Sequence, residues 1–199
     1  MPPGWDTGNW NGLVGNSKYY DYTLSVNGKA EHHGNDYYQD YLTDLISNRS
    51  CAFIAAHAHP DASHHHQEHS EPGSGLTAAS ARTANDDVKP FLLMMGTPAS
   101  HIPDDYAPWT AQMFVNESSP RTPNWNHAPN PDKHWMMRYI QPMDGGRFDG
   151  GERNASDWVA VKRWRSLQSV DMLVGKLVQA LKDANVFNNT YIIYSSDHG

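Results

Sequence analysis

Alternation of polar and apolar residues near the start of the chain predicts a β-hairpin. The stretch from Tyr19 to Val26 is rich in aromatic and β-branched residues, which favour strands. Asn27-Gly28 follows directly, and this pair is the strongest short signal for a two-residue hairpin turn. We therefore expect a strand, a tight turn and a second strand here.

Apolar residues at intervals of three and four predict a first helix over residues 36–47, continuing through Ile54. A second, clearer helix is predicted over residues 156–184. Ser156 or Asn154 is its expected N-cap, with Asp157 in the first turn. Its apolar stripe consists of Trp164, Leu167, Val170, Val174, Leu177, Val178 and Leu181. Asp171 lies within this stripe, and an edge position is the simpler explanation for it.

A continuous apolar run over residues 90–97 predicts a buried strand. A β-branched and aromatic run within residues 190–196, ending at a small-residue turn, predicts another. The long helix lies between them in the sequence. A strand, crossover material, a helix and another strand form an α/β unit with a parallel sheet. Residues 103–150, rich in proline, are expected to be mostly loop.

Composition narrows the possible classes of protein. The net charge is −7 and there is no basic tract, which argues against a general nucleic-acid binder. No apolar stretch is long enough for a transmembrane segment. The single cysteine, Cys51, excludes a disulfide framework within the chain and is expected to be a small buried hydrophobic residue.

Within the segment 57–89, six histidines crowd residues 57–69, and a Pro-Gly-Ser-Gly stretch follows them at residues 72–75. A metal-binding tract is one interpretation. The spacing specifies no single coordination geometry, so we favour a disordered insertion.

Candidate site residues follow the two predicted strands. His101 comes just after the first, and Asp197 and His198 directly follow the second. Ligands of open α/β sheets bind beyond the carboxyl ends of strands, and a carboxylate beside an imidazole can bind a divalent cation. A lone histidine after a strand is more often a surface or capping residue, so both interpretations of His101 stay open.

A second candidate lies within the long loop, where Lys133 and His134 stand beside Trp135. These cationic side chains could contact an anion. The alternative is a short loop helix in which Trp135 and Met136 are buried.

These runs resemble the sulfatase family. The ending Tyr194–Gly199 is similar to the second pair of calcium ligands in that family, an Asp followed by Asn or His. The segment Pro98–Pro103 resembles a Pro-Ala-Pro-His-x-Pro stretch whose histidine contacts the sulfate ester, with Ser100 replacing the second proline.

Further segments resemble the two sulfatase subfamilies that act on the 6-O-sulfate of glucosamine. These are the enzymes specific for N-acetylglucosamine 6-sulfate and the extracellular heparan 6-O-endosulfatases. The matching segments are Met1–Trp5, Asn16–Lys29, Asp40–Asp44 and Ala128–Trp135. The resemblance implies an α/β, alkaline-phosphatase-like fold with a mostly parallel sheet flanked by helices. The implied substrate is a sulfated glycosaminoglycan, heparan or keratan sulfate.

The resemblance also implies roles for individual residues. His101 is the implied catalytic residue, Lys133 and His134 bind the substrate, and Asp197 and His198 hold Ca²⁺. The formylglycine motif Cys-x-Pro/Ala-x-Arg of the family does not occur at Cys51. We therefore expect residues 1–199 to be an internal fragment of a catalytic domain. The formylglycine-generating enzyme would then act on an upstream segment.

Four glycosylation sequons, at Asn48, Asn116, Asn154 and Asn188, indicate the secretory pathway. The subfamilies imply a lysosomal or an extracellular location. Two other functions remain open: a non-catalytic fragment that binds sulfated glycans, and a phosphatase-like relative on the same fold.

Overall fold

The structure, a computed structural model, describes residues 3–4, 10–58, 90–123, 125–139 and 151–196, with the backbone alone for 151–155. A three-stranded antiparallel sheet lies at the N-terminal end, in the order β1 (Asn11–Val14), β2 (Tyr22–Val26) and β3 (Lys29–His33). Val26 pairs with Lys29 across the turn. Asn27 and Gly28 have φ angles of 52° and 86°, as a type I′ turn requires. The predicted hairpin is confirmed.

The first predicted helix is interrupted. A short helix α1 (Tyr37–Asp40) is capped by Asp36, whose carboxylate accepts from the backbone N–H of Tyr38 at 2.9 Å. Helix α2 (Leu42–His57) follows after Tyr41, which has an extended ψ of 110°. The prediction of one unbroken helix was therefore wrong. Tyr41 leaves the helical path because its ring is buried in a tertiary cluster, and burial outweighs local propensity.

Helix α2 forms the centre of the packing. One set of its side chains, with Leu42 buried, packs on Tyr22 and Leu24 of the sheet. Ile54 and Ala58, at the other end, pack against helix α4 (Gly151–Asp183). The buried α4 residues of this core are Leu173, Leu177 and Leu181. Asp171 is exposed, which confirms the edge position expected for it.

Helix α4 begins earlier than predicted, so Ser156 and Asn154 lie inside it and neither is an N-cap. Ser156 and Asp157 instead contact the preceding loop. The Ser119 hydroxyl lies 2.9 Å from that of Ser156, and the Ser119 N–H donates to Asp157 at 2.8 Å. The polar residues that predicted a helix start there make a tertiary contact instead.

The long loop contains a 3₁₀ turn (Pro108–Thr110) and a four-residue helix α3 (Trp135–Arg138), and another 3₁₀ turn (Phe187–Asn189) follows α4. The runs 90–97 and 190–196 form no strand ladder within the described ranges, so the parallel sheet is not confirmed. A strand needs neighbouring backbone partners, which an apolar sequence run does not itself provide. Among the described helices, none combines the length and apolarity needed to cross a bilayer.

Candidate active site

His101 lies in a turn between the run 90–97 and the loop that follows. Its backbone N–H donates to the carbonyl of Pro98 at 2.7 Å, and its own carbonyl accepts from the N–H of Asp104 at 2.9 Å. These bonds close two consecutive turns with His101 at their junction. The side chain is exposed, so the turn presents the imidazole at the surface.

One nitrogen of the His101 ring is fixed by the backbone. Nδ1 lies 2.7 Å from the carbonyl oxygen of Ile102. A carbonyl only accepts, so Nδ1 carries a proton and donates it. Nε2 is then the nitrogen left for chemistry: it accepts a proton in the neutral ring and donates in the charged ring.

The hydroxyls of Tyr19 and Tyr41 contact backbone carbonyls in and next to this turn. The Tyr19 hydroxyl lies 2.9 Å from the carbonyl oxygen of His101 and 3.1 Å from that of Pro98. The Tyr41 hydroxyl donates to the carbonyl of Asp105 at 3.1 Å. Burial is the main cause that raises the pKa of both phenols, so both remain protonated donors. Sequence reasoning missed both residues, because nothing in the local pattern points to partners over 60 positions away.

Helix α4 anchors the other side of the turn. Asp104 is buried with a φ of 57°, and its carboxylate oxygen lies 3.7 Å from Nε of Arg163. The Lys162 ammonium donates to the carbonyl of Pro103. Both cations come from the N-terminal half of α4, which therefore helps to set the position of His101.

The second candidate pair lies beside helix α3. His134 is its N-cap: Nδ1 accepts from the backbone N–H of Met136 at 3.3 Å, which leaves the proton of a neutral ring on Nε2. The predicted short loop helix is confirmed. The predicted burial of Trp135 and Met136 was wrong, because each is 56% exposed. Lys133 and His134 are exposed as well. In the described part of the chain, no hydrogen bond or ion pair joins this segment to the His101 turn.

The predicted metal ligands Asp197 and His198 lie outside the described residues. Within the described ranges, no group of three or more His, Cys, Asp or Glu side chains is arranged to hold a metal ion. Of the histidine-rich segment, only His57 and Ala58 are described, and His57 ends α2 and stacks on Phe53 with ring centroids 4.2 Å apart. The remainder of that tract, 59–89, is outside the described ranges.

Cys51 lies on α2, half-buried against the α2–α4 core, and burial raises the pKa of its thiol. Cys51 therefore packs against the core as a small hydrophobic residue would, but it is not fully buried as the sequence predicts. Three predicted glycosylation sites, Asn48, Asn116 and Asn188, are exposed. The fourth predicted glycosylation site, Asn154, lies within helix α4.

The comparison with protein families defines the class of this protein. The Sulfatase family profile matches residues 4–199, and the chain belongs to the sulfatase family. No solved structure matches it significantly.

Curated relatives align along the whole chain. It is 38% identical to the extracellular sulfatase SULF-1 homolog of Drosophila melanogaster, over 100% of this chain and 15% of that protein. It is also 38% identical to human N-acetylglucosamine-6-sulfatase, over 100% of this chain and 30% of the human protein. The putative extracellular sulfatase Sulf-1 homolog of Caenorhabditis elegans is 39% identical, with 24% of its length covered. The chain thus spans between 15% and 30% of these relatives.

Proposed function

We propose that this chain is part of the catalytic domain of an enzyme that hydrolyses the 6-O-sulfate ester of N-acetylglucosamine units in heparan or keratan sulfate. The main support is similarity along the entire chain to a relative named N-acetylglucosamine-6-sulfatase. The exposed, backbone-fixed imidazole of His101 supports a hydrolytic site on this chain.

The proposed fold is alkaline-phosphatase-like, with a mostly parallel sheet flanked by helices, and residues 1–199 form an internal segment of it. The runs 90–97 and 190–196 are its proposed strands. Several apolar side chains of these runs are exposed, including Leu92 and Ile193, as expected for strands that pack against further elements. The segment 57–89 is a proposed insertion within this domain.

His101 is the proposed catalytic residue. Breaking the sulfate ester develops negative charge on the leaving oxygen, and a hydrogen-bond donor aimed at that oxygen lowers the barrier. With Nδ1 bound to Ile102, only Nε2 of His101 can face the ester. In the charged ring, Nε2–H donates to the ester oxygen and can pass its proton to the departing alcohol.

Lys133 and His134 are the proposed contacts to a sulfate on the glycan. The Lys133 ammonium is a point charge on a flexible stem, suited to a sulfate oxygen. His134 uses Nδ1 as an acceptor for the α3 backbone, so its Nε2–H is the donor available to an anion. The two residues thus offer a charge and a neutral donor side by side.

Asp197 and His198 are the proposed ligands of Ca²⁺. The Asp carboxylate is the hard oxygen donor that Ca²⁺ prefers, whereas an imidazole is a rarer ligand for it. The bound ion would neutralise the sulfate oxygens. Its remaining ligands and the formylglycine are proposed to lie outside residues 1–199, where the formylglycine-generating enzyme would act.

The test is hydrolysis by the full-length gene product of heparan oligosaccharides that end in N-acetylglucosamine 6-sulfate. We expect release of sulfate from this terminal unit and little from the matched 3-sulfate. An aryl phosphate serves as the counter-substrate. Hydrolysis of the phosphate without sulfate release would overturn the proposal and favour the phosphatase-like alternative, and binding without any hydrolysis would favour a sulfated-glycan-binding module.

A second candidate, an extracellular heparan 6-O-endosulfatase, is supported by the two relatives named as extracellular sulfatases. An oligosaccharide with a single internal 6-sulfate separates the two. Loss of that internal sulfate indicates endo action, and loss of a terminal sulfate alone indicates exo action.

Both candidates place the protein in the secretory pathway, in the lysosome or outside the cell. The exposed sequon asparagines Asn48, Asn116 and Asn188 support this location. A decrease in apparent mass after enzymatic removal of N-glycans from the cell-expressed protein is the expected result. An unchanged mass would count against it.

A further inference from the structure

Besides its two backbone hydrogen bonds, the turn that carries His101 is contacted by the hydroxyl of Tyr19. The carbonyls of Pro98 and His101 each accept a backbone N–H within the turn. The same two carbonyls lie within 3.1 Å of a single phenol oxygen, that of Tyr19. Each carbonyl has a second lone pair available to the phenol, whose single O–H is shared between the two carbonyls. One side chain therefore joins both ends of the turn.

Tyr19 is itself rigidly held. It is 1% exposed, and its ring stacks on Tyr41 with centroids 6.1 Å apart. Its backbone carbonyl accepts from the N–H of Leu42 at 3.0 Å, which links it to the start of α2. Because the ring and the backbone of Tyr19 are both fixed, its hydroxyl has a fixed position from which to bind the turn.

The position of the turn determines the direction of the His101 ring. The ring is oriented by its Nδ1–H bond to the carbonyl of Ile102, the residue that follows His101. Fixing the His101 carbonyl limits rotation of the peptide leading into Ile102. The Tyr19 hydroxyl therefore acts on the imidazole through the backbone, without touching the ring.

We propose that Tyr19 is a positioning residue for catalysis: its hydroxyl holds the Pro98–Asp104 turn so that Nε2 of His101 faces the ester. This inference rests on the proposed role of His101 in sulfate hydrolysis and adds a residue to that site.

Tyr19→Phe removes only the hydroxyl and keeps the buried ring. Tyr22→Phe is the matched control, because the Tyr22 hydroxyl is also buried but has no hydrogen-bond partner among the described residues. In the full-length gene product, we expect Tyr19→Phe to lower kcat by about 10- to 100-fold, as small misplacement of a reacting group does, with KM changed less than about twofold. Tyr22→Phe should leave kcat within about twofold of wild type.

A double variant distinguishes positioning from general stability. In a His101→Ala background, Tyr19→Phe has no imidazole left to position, so it should lower kcat by less than about twofold further. A loss as large as in the wild-type background would overturn the inference. So would an unchanged kcat in Tyr19→Phe alone, or an equal loss in Tyr22→Phe.

A spectroscopic measurement keeps the inference separate from the proposed reaction. The ring signals of His101, identified by their loss in His101→Ala, are recorded by NMR on histidine-labelled protein. We expect them to shift in Tyr19→Phe and not in Tyr22→Phe. If the wild-type protein released no sulfate from any glycan, the proposed function would fail, whereas unshifted His101 signals in Tyr19→Phe would overturn the positioning role itself.

Discussion

Two exposed histidines, His101 and His134, differ in the ring nitrogen that the backbone occupies. Nδ1 of His101 donates to a carbonyl, and Nδ1 of His134 accepts from an amide. In their neutral forms, the free Nε2 is therefore an acceptor on His101 and a donor on His134. An Nε2 that can take up a proton and then donate it supports the proposed proton transfer by His101, and a neutral Nε2–H donor supports the proposed anion contact of His134.

His101→Ala in the full-length gene product is expected to reduce turnover of the sulfated oligosaccharide by about 10²–10³-fold, the usual effect of losing one such donor. The melting temperature should change little, because the backbone bonds of the turn and the Tyr19 contact remain, and only the exposed ring with its bond to Ile102 is lost. His57→Ala, at the exposed end of α2, is the control histidine. Wild-type turnover in His101→Ala would refute the catalytic assignment.

Lys133→Ala is expected to raise KM for the same oligosaccharide by roughly tenfold, the effect of losing about 1.4 kcal/mol from one charge-assisted contact. The value of kcat should stay close to wild type, because in the proposed reaction His101, and not Lys133, donates to the leaving oxygen. Lys29→Ala, on exposed strand β3, removes a charge elsewhere and should leave KM unchanged. Steady-state kinetics at low ionic strength provides the comparison, and equal KM values for the two variants would contradict the substrate role.

The position of His101 after an apolar run left its role open, and only the resemblance to sulfatases made it the candidate catalytic residue; neither signal pointed to Tyr19. The contacts of Tyr19 span 79 and 82 positions, and no local pattern encodes such a distance. Likewise, the pattern suggested burial of Trp135, whereas the structure exposes it. Apolar character alone does not determine whether a neighbouring surface is present to cover a side chain.

At the scale of elements, the contact between α2 and α4 determines much of the stability. Leu177 lies among Ile54, Leu173 and Leu181 and is almost fully buried. Leu177→Ala should lower the free energy of unfolding by about 2–5 kcal/mol, from lost transfer energy and the cavity left behind. Met172→Ala is the control on the exposed side of α4 and should cost less than about 1 kcal/mol. Urea unfolding followed by circular dichroism measures both, and similar losses would contradict the described core.

A histidine between two carboxylates joins β3 to α1. His33 Nε2 lies 2.6 Å from Glu31 and its Nδ1 lies 3.3 Å from Asp40. Burial opposes ionisation of Glu31, but hydrogen bonds from His33 and Arg49 outweigh it and lower the pKa of this carboxyl. The Asp36 backbone N–H is the main cause that lowers the pKa of Asp40.

Lowered carboxyl pKa values predict how stability depends on pH. The stabilisation is present above the unfolded pKa of Glu, about 4.3, and is lost as pH falls through the lower pKa of the folded state. Glu31→Gln should therefore flatten the decline in the urea midpoint between about pH 5 and pH 3. The effect should be small because Glu31 is 39% exposed. Glu117→Gln, on an exposed loop residue, is the control, and identical acid profiles for the two variants would contradict the network.

The elements differed in how far sequence predicted them. The Asn27-Gly28 turn was predictable because a type I′ turn needs two positive φ angles, and Asn and Gly adopt such angles readily. The interruption at Tyr41 was not, because its cause is the buried cluster with Tyr19. The start of α4 was misplaced because Ser156 and Asp157, good capping residues, contact Ser119 instead.

At the scale of the whole molecule, the comparison with families confirms the class and the sheet remains a proposal. The resemblance to sulfatases followed from short runs such as Pro98–Pro103, and the Sulfatase profile matches residues 4–199. The parallel sheet depends on pairing between the runs 90–97 and 190–196 and further backbone. Hydrophobic pattern predicts that a segment can be buried as a strand, but the ladder partner is a separate requirement.

The extended run that follows α4 has a consequence for handling the protein. Tyr191, Ile192, Ile193 and Tyr194 form an uncharged, proline-free stretch, and the Tyr191 side chain is 98% exposed. Such a stretch, with no strand partner among the described residues, is a template for amyloid-like association. Residues 1–199 expressed alone should therefore form thioflavin-positive aggregates, and Ile193→Lys should delay them by placing a gatekeeper charge in the run. Val115→Lys, at an isolated exposed position, should not delay them, so equal lag times for the two lysine variants would show that aggregation starts elsewhere.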